Sequence, residues 1–285
     1  MVKPQDRVLR AMTDDGAFRV ITARTTETVR RAVEAQQASG STARNFGDLI
    51  TGAILYRETM APQLRVQGIV KSAAGAGSLI ADSHPSGKTR GLIQLREGGQ
   101  DIDLGSGGIL QIMRTMPSGR ISQGVVEMAA GSAVSEALMA YMQSSEQIVS
   151  MIAVSTVFSG DRVLAAGGYL VQLLPEVDRG ALAIMTERLE DYKTIDAQVN
   201  RAEFSPDSLL DELLYGMPFT RLGDSEVGFD CWCDQLRLMS ALASLHRSDI
   251  EHLIEGGEVL EISCDYCGKQ YRIAPAQLRG LLEQS

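Results

Sequence analysis

The first 230 of the 285 residues contain no cysteine, and the whole chain holds only three histidines, His84, His246 and His252. A disulfide framework, a thiolate metal site or a cysteine nucleophile is therefore excluded from the N-terminal four-fifths. No serine–histidine or paired-carboxylate arrangement is readable, so a hydrolase has nothing to stand on and no catalytic residue is assigned. Aromatic residues make up 5% of the chain, with one tryptophan. No stretch reaches the roughly 18 apolar residues of a membrane-spanning helix, so no membrane association is expected. The opening MVKPQDRVLRAMTDD has no apolar core of the secretory type, and a cytoplasmic location is expected. Gly75-Ala-Gly77 and Gly105-Ser-Gly107-Gly108 complete neither a dinucleotide nor a Walker phosphate loop and are expected to be hairpin turns.

Positive charge is also scarce where it would be needed for a polyanion. Residues 1–185 carry 18 Lys+Arg against 17 Asp+Glu, net +1, whereas residues 186–285 carry 9 against 19, net −10. DNA or RNA would be repelled by the last third, because non-specific affinity comes mainly from neutralising phosphates. No nucleic-acid partner is expected.

What is present reads as an α+β fold: an N-terminal mixed sheet with packed helices, a helical linker and a small C-terminal metal-binding domain. Expected boundaries are 1–185, 186–226 and 227–285. In the first part, residues 17–24 suit a strand, 26–38 and 41–60 suit helices, and short apolar runs such as LRVQGIV, GLIQL and IVSMIAVSTVF alternate with Gly/Ser/Pro turns. These strands are expected to form one sheet, with a helix near 132–147 interrupting the series. Met113, Met116, Met139, Met142 and Met151 read as core filler. From Thr186 the strands are expected to stop. Residues 186–230 hold 11 acidic and 4 basic residues, and Leu189, Tyr192, Ile195 and Val199 form one helical stripe. A second helix opens at Ser205-Pro206-Asp207, with Ser as N-cap and Pro at the first position, and Gly216 closes it. Such a self-repelling connector depends on docking for its order.

All four cysteines lie in the last part, as Cys231-Trp232-Cys233 and Cys264-Asp-Tyr-Cys267-Gly268. A CxxC turn presents two sulfurs to one ion, and Gly268 supplies the permissive backbone for it. In CxC, residues i and i+2 project to one side of an extended chain. Four thiolates select Zn²⁺, although an iron–sulfur cluster could use the same ligands. Residues 248–251 (Ser-Asp-Ile-Glu) read as a capping box, and 259–262 with 271–273 as the arms of a hairpin around CDYC. His246 and His252 fall off the ligand spacing and read as surface residues. A plain structural zinc site, making the chain a constitutive zinc-stabilised adaptor, is the alternative reading. Against it, the site holds every cysteine of the chain, and each pair is close enough in sequence to be bridged locally.

With its CxC and CxxC pairs, the CDYCGKQY stretch (264–271), Ser145-Glu146-Gln147 and the run from Ala166 to Pro175, the sequence resembles the heat shock protein 33 family over essentially its whole length. The resemblance implies a redox-regulated, ATP-independent holdase, not an enzyme, with Cys231, Cys233, Cys264 and Cys267 as zinc ligands. It also implies that oxidation forms the disulfides Cys231–Cys233 and Cys264–Cys267 and expels zinc. The linker then unfolds, and the protein forms a homodimer and binds unfolded or partly folded clients. The sequence departs from the family pattern after the first pair, where Asp234-Gln-Leu-Arg stands in place of the usual Ser followed by Arg-Glu, and Trp232 is bulkier than usual.

Overall fold

Two stretches of sequence meet the conditions for burial on all sides, and they set the architecture. Residues 41–57 carry Phe46, Leu49, Ile50, Ala53, Ile54, Leu55 and Tyr56 all round the helix, the mark of a fully enclosed element. The run AAGGYLVQL carries no polar alternation, as a strand covered on both faces requires. The computed structural model describes residues 5–99, 101–175 and 177–282. It divides the chain into two compact units, Met1–Asp230 and Cys231–Ser285.

The first unit is built from two sheets. One contains β1 (Arg7–Thr13), β2 (Phe18–Arg24), β8 (Ser150–Ser159), β9 (Arg162–Leu173) and β10 (Phe219–Glu226), in the order β10-β1-β2-β9-β8. The other contains β3 (Arg65–Ser72), β4 (Gly77–Ser83), β5 (Lys88–Leu95), β6 (Gly108–Thr115), β7 (Ile121–Met128) and the two-residue β11 (Gly228–Phe229), in the order β11-β5-β4-β3-β6-β7. Helices α1 (Thr26–Ala35), α2 (Gly40–Arg57) and α3 (Val134–Tyr141) contribute to a shared core with residues from both sheets. Three further helices, α4 (Arg179–Glu190), α5 (Asp196–Val199) and α6 (Pro206–Leu213), supply a second core with Leu9, Ala11, Phe18, Val20, Tyr169 and Val171. The five-stranded sheet is thus covered on both faces, which is why β9 reads as a continuous apolar run.

The α+β class holds, with these corrections. Two sheets replace the expected single one. The Gly105–Gly108 turn ends a crossover from β5 to β6, which are not neighbours, so it is no hairpin turn. Strands do not stop at Thr186: β10 and β11 lie within the segment expected to be helical. β10 escaped notice because none of its eight residues is buried, so it has no apolar alternation to show. β1 was not expected either; its Val8, Leu9 and Ala11 are all buried, leaving no two-residue period. Nor do Leu189, Tyr192, Ile195 and Val199 lie on one helix. The chain leaves α4 at Glu190, and the Tyr169 hydroxyl donates to the Tyr192 carbonyl at 2.9 Å, taking that carbonyl out of a helical ladder. Past α3 the helix widens into a π-turn, Met142–Glu146, and ends on Gln147 in the left-handed region (φ 58°). Of the five methionines expected as filler, Met142 is fully buried and the other four are half-buried.

The second unit contains α7 (Gln235–Leu242), α8 (Arg247–Glu255), the hairpin β12 (Leu260–Ser263) and β13 (Gln270–Ile273), and α9 (Pro275–Leu282). The hairpin lies where expected. The capping box at 248–251 does not form: the N-cap is His246, two residues before Ser248, and α8 starts at Arg247, whose guanidinium reaches Glu251 one turn on at 2.9 Å. The buried core of this unit is Leu242, Ile250, Ile273 and Leu278.

Candidate metal centre

The β12–β13 hairpin closes on a tight turn that fixes the second cysteine pair. Cys264 N–H donates to the Lys269 carbonyl (2.9 Å), and the Cys267 and Gly268 amides donate back to the Cys264 carbonyl (3.2 and 2.7 Å). Gly268 sits at φ 71°, a conformation other residues adopt only with strain. The first pair lies on the extended segment before α7. Asp234 ends that segment as the helix N-cap, its carboxylate accepting from the Arg237 amide at 2.7 Å. Aspartate and serine are equivalent N-caps, so the departure at Asp234 keeps the local geometry intact. Trp232 is half-buried.

These two local structures bring the four sulfurs within 4.8 Å of one another. Cys231 and Cys264 sulfurs are 3.8 Å apart, and Cys233 and Cys267 sulfurs 3.5 Å apart. Four ligands at about 2.3 Å in a tetrahedron have sulfur–sulfur edges of about 3.8 Å, so the spacing suits a single ion. The four residues are free cysteines, each half-buried.

The electrostatics demand compensation. Burial pushes the Cys264 thiol up, and burial together with the neighbouring sulfurs pushes Cys267 up to about 12. For Cys233 burial acts in the same direction, but the Tyr271 hydroxyl and the adjacent sulfurs outweigh it and hold the thiol below its usual value. The buried Tyr271 oxygen makes no regular hydrogen bond, yet its interaction with the Cys233 sulfur raises the phenol pKa. Lys269 lies 5.1 Å from the Tyr271 ring centroid. Four thiolates this close, with part of their solvation lost, are not jointly stable at neutral pH without a bound cation. The donor set fits a soft or borderline divalent ion. His246 and His252 are exposed, as expected of surface residues.

In the first unit, the segment leading toward Cys231 is seated by a small number of groups. α6 is capped as expected, with Ser205 Oγ accepting from the Ser208 amide at 3.1 Å, and it buries Leu209, Leu210 and Leu213. Each such leucine is worth about 1.5–3 kcal/mol of burial. Phe204 lies against Gly167 of β9, where a Cβ would come within 2.6 Å of its ring, so glycine is needed for this close approach. α4 is seated less well. It fully buries only Met185, leaves Ile184 53% exposed, and borders an apolar cleft of about 240 Å³ lined by Phe18, Met151, Val171, Leu173, Leu182 and Leu189. After β10 the chain crosses to the other sheet. Gly87 permits this: a Cβ there would meet the Glu226 carbonyl oxygen at 2.1 Å, and Gly87 is at φ 81°. Lys88 pairs with Asp230 at 2.6 Å. The segment's fastening to both sheets was not legible in the sequence.

Among the described residues no helix is long and apolar enough to cross a membrane. Comparison with known proteins gives a consistent result. A family model described as Hsp33 protein matches residues 6–274. A curated relative named 33 kDa chaperonin, from Syntrophotalea carbinolica, is 26% identical over 98% of this chain and 99% of its own. Another of that name, from Geobacillus kaustophilus, is 27% identical over 97% of each chain. The crystal structure of a 33 kDa chaperonin, a heat shock protein 33 homolog from Thermotoga maritima, superposes with a TM-score of 0.84 over 99% of both chains at 20% identity, a likeness of fold.

Proposed function

The chain belongs to the Hsp33 family, and from that premise we propose that it is a redox-regulated, ATP-independent holdase whose switch is the four-cysteine centre. The observation that carries this reading is the approach of all four sulfurs to within 4.8 Å, in a unit whose own buried core is four side chains. Cys231, Cys233, Cys264 and Cys267 hold Zn²⁺ in the resting protein; when bound, the ion neutralises the thiolates and ties the CxC segment to the CxxC turn.

The three-part division follows from this reading: residues 1–185 as effector, 186–226 as latch and 227–285 as sensor. Peroxide converts Cys231–Cys233 and Cys264–Cys267 to disulfides. In each couple two thiolates give up two electrons to form the S–S bond, and one peroxide with two protons becomes two waters. The sulfurs must close from their present spacing to about 2.05 Å. Disulfide sulfurs are no longer thiolate donors, so the site loses its hold on zinc. A unit of this size then has too little apolar burial to remain folded.

Loss of order spreads to the latch because α4–α6 depend on docking and carry net negative charge. Release uncovers Leu9, Ala11, Phe18, Val20, Tyr169 and Val171, an apolar face suited to unfolding clients in the cytoplasm. Dimerisation in the oxidised form, no enzymatic step, and no nucleic-acid or membrane partner belong to the same reading. The test is light scattering from a heat-unfolding reporter protein with the chain reduced, and again after peroxide at mildly raised temperature. Suppression by the oxidised form alone is expected. Equal suppression by both forms contradicts the switch, and an oxidised protein that keeps its zinc and its secondary structure indicates a constitutive zinc-stabilised adaptor.

A further inference from the structure

Resting on the holdase reading, we propose that the edge of β1 which β10 occupies in this structure is the strand-pairing site for client. There the released form captures an extended client segment, apolar in its first half and acidic in its second.

β1 is a prepared template. Its far edge is paired with β2 without a break from Arg7↔Arg24 to Met12↔Arg19. Val8, Leu9, Ala11 and Thr13 are buried, so β1 does not depend on β10 for its place.

β10, in contrast, is an edge strand with no buried residue; every other strand of that sheet has several. Its ladder shifts register between Arg10 and Ala11, beside Gly223 at φ 142°. Its remaining fastenings are side-chain contacts at the surface. Arg10 donates to Ser225 (2.7 Å) and to the Asp224 carbonyl (3.3 Å), Arg7 lies 3.8 Å from Asp224, and Thr220 donates to Asp14 (2.9 Å). Arg221 pairs with Asp207 (2.8 Å) and Asp211 (3.8 Å), both on or beside the exposed side of α6. Melting of α6 therefore removes two of the anchors of β10 as well as the cover over Leu9 and Ala11. Only residues 227–230 separate β10 from Cys231.

The present occupant shows what the edge accepts. β10 runs antiparallel, with Phe219 opposite Thr13 and Glu226 opposite Arg7. Apolar Phe219 and Leu222 lie in its first half, and Asp224 and Glu226 in its second, beside Arg7 and Arg10. Without β10 and α6, Arg7 loses both Asp207 and Asp224, while Arg10 keeps Glu58. A client strand with the same polarity restores the ladder and compensates Arg7, and it extends over the uncovered apolar face. Main-chain pairing of this kind tolerates many sequences, as a holdase requires.

The test is amide hydrogen exchange on the full chain, read by mass spectrometry with light scattering on the same samples. Four states are compared: reduced, peroxide-oxidised, oxidised with a heat-unfolded reporter, and oxidised with a synthetic peptide of residues 217–228. Oxidation is expected to speed exchange by about tenfold or more at the alternate amides of Arg7–Thr13 that face β10, while those paired with β2 stay protected. Reporter and peptide should each restore protection there, and the peptide should reduce aggregation suppression. A peptide carrying both Thr220→Pro and Arg221→Pro should do neither, because one of two successive paired residues directs its N–H at β1 and proline removes that donor. Suppression without renewed protection of β1 overturns the edge site and leaves the holdase reading standing. Protection of the β10-facing amides that persists after oxidation, whether by β10 or by the strand of a second copy, also overturns it. Absence of suppression in every state defeats the holdase reading, and the edge site with it.

Discussion

The two units of this chain solve the problem of staying folded in opposite ways. Met1–Asp230 surrounds α2 with apolar side chains from two sheets and covers one of those sheets again with α4–α6. Cys231–Ser285 has Leu242, Ile250, Ile273 and Leu278, and a cluster of four sulfurs. Burial is distributed, so damage at one site in the first unit is local. A metal centre is concentrated, so under the proposed switch two disulfides suffice to undo the second unit. That difference is what would suit the second unit to the proposed role of sensor.

Removing one sulfur should expose the difference most strongly. Structural zinc contributes roughly 10–16 kcal/mol of apparent binding energy in small modules, comparable with the whole stability of a domain. Cys264→Ser is expected to abolish stoichiometric zinc binding and collapse the amide dispersion of residues 231–282 in NMR spectra. Resonances of α2 and β9 should stay in place; their loss would show that the first unit also depends on the metal.

A smaller effect separates the latch from the core it covers. Leu213→Ala in α6 and Leu55→Ala in α2 each remove a side chain with no exposed surface and should each cost about 2–5 kcal/mol locally. Only Leu213→Ala is expected to let the chain suppress aggregation at lower peroxide. If both variants shift the threshold equally, docking of α6 has no special part in the switch.

The units should also respond oppositely to pH. Asp48 in α2 is half-buried, with one carboxylate oxygen enclosed and unpaired, and the loss of solvation raises its pKa to about 7. Its folded pKa lies above the unfolded value of 3.8, so its protonated form stabilises the fold, and that contribution is complete below about pH 4 and fades as pH rises through 7. The loss between pH 5 and 8 is on the order of 2–3 kcal/mol. Zinc retention is expected to strengthen over the same range, because protons compete less well with the metal for the sulfurs. Chemical denaturation of the first unit should show the decline, and Asp48→Asn should flatten it. A pH-independent wild-type midpoint would contradict the assignment.

The smallest effect belongs to the surface of β10. Arg221→Ala breaks two exposed ion pairs and should cost no more than about 1 kcal/mol, less at high salt. Faster amide exchange in β10, with no change in β9, is the expected readout.

How much of this could be read from residues alone follows the same division. The cysteine centre was legible because metal ligation needs particular residue types at particular spacings, and CxC with CxxC-Gly has few other uses. α2 was legible as a long stretch of helix-compatible apolar residues, and the β-rich core as short apolar runs set between Gly/Ser/Pro turns. Ser205-Pro206-Asp207 announced α6 because capping is local. β10 was not legible, since an edge strand without buried residues leaves no pattern, and the doubling of the sheet was not, since it depends on contacts between distant strands. Asp234 looked like a departure and proved to be an N-cap, a role that serine also fills.

The central claim is that thiol oxidation and client capture are one event. Zinc release, followed with a chromogenic chelator during peroxide titration at mildly raised temperature, should rise together with aggregation suppression in the same samples and reach one zinc per chain. Full zinc release without suppression, or suppression with zinc still bound, would contradict it.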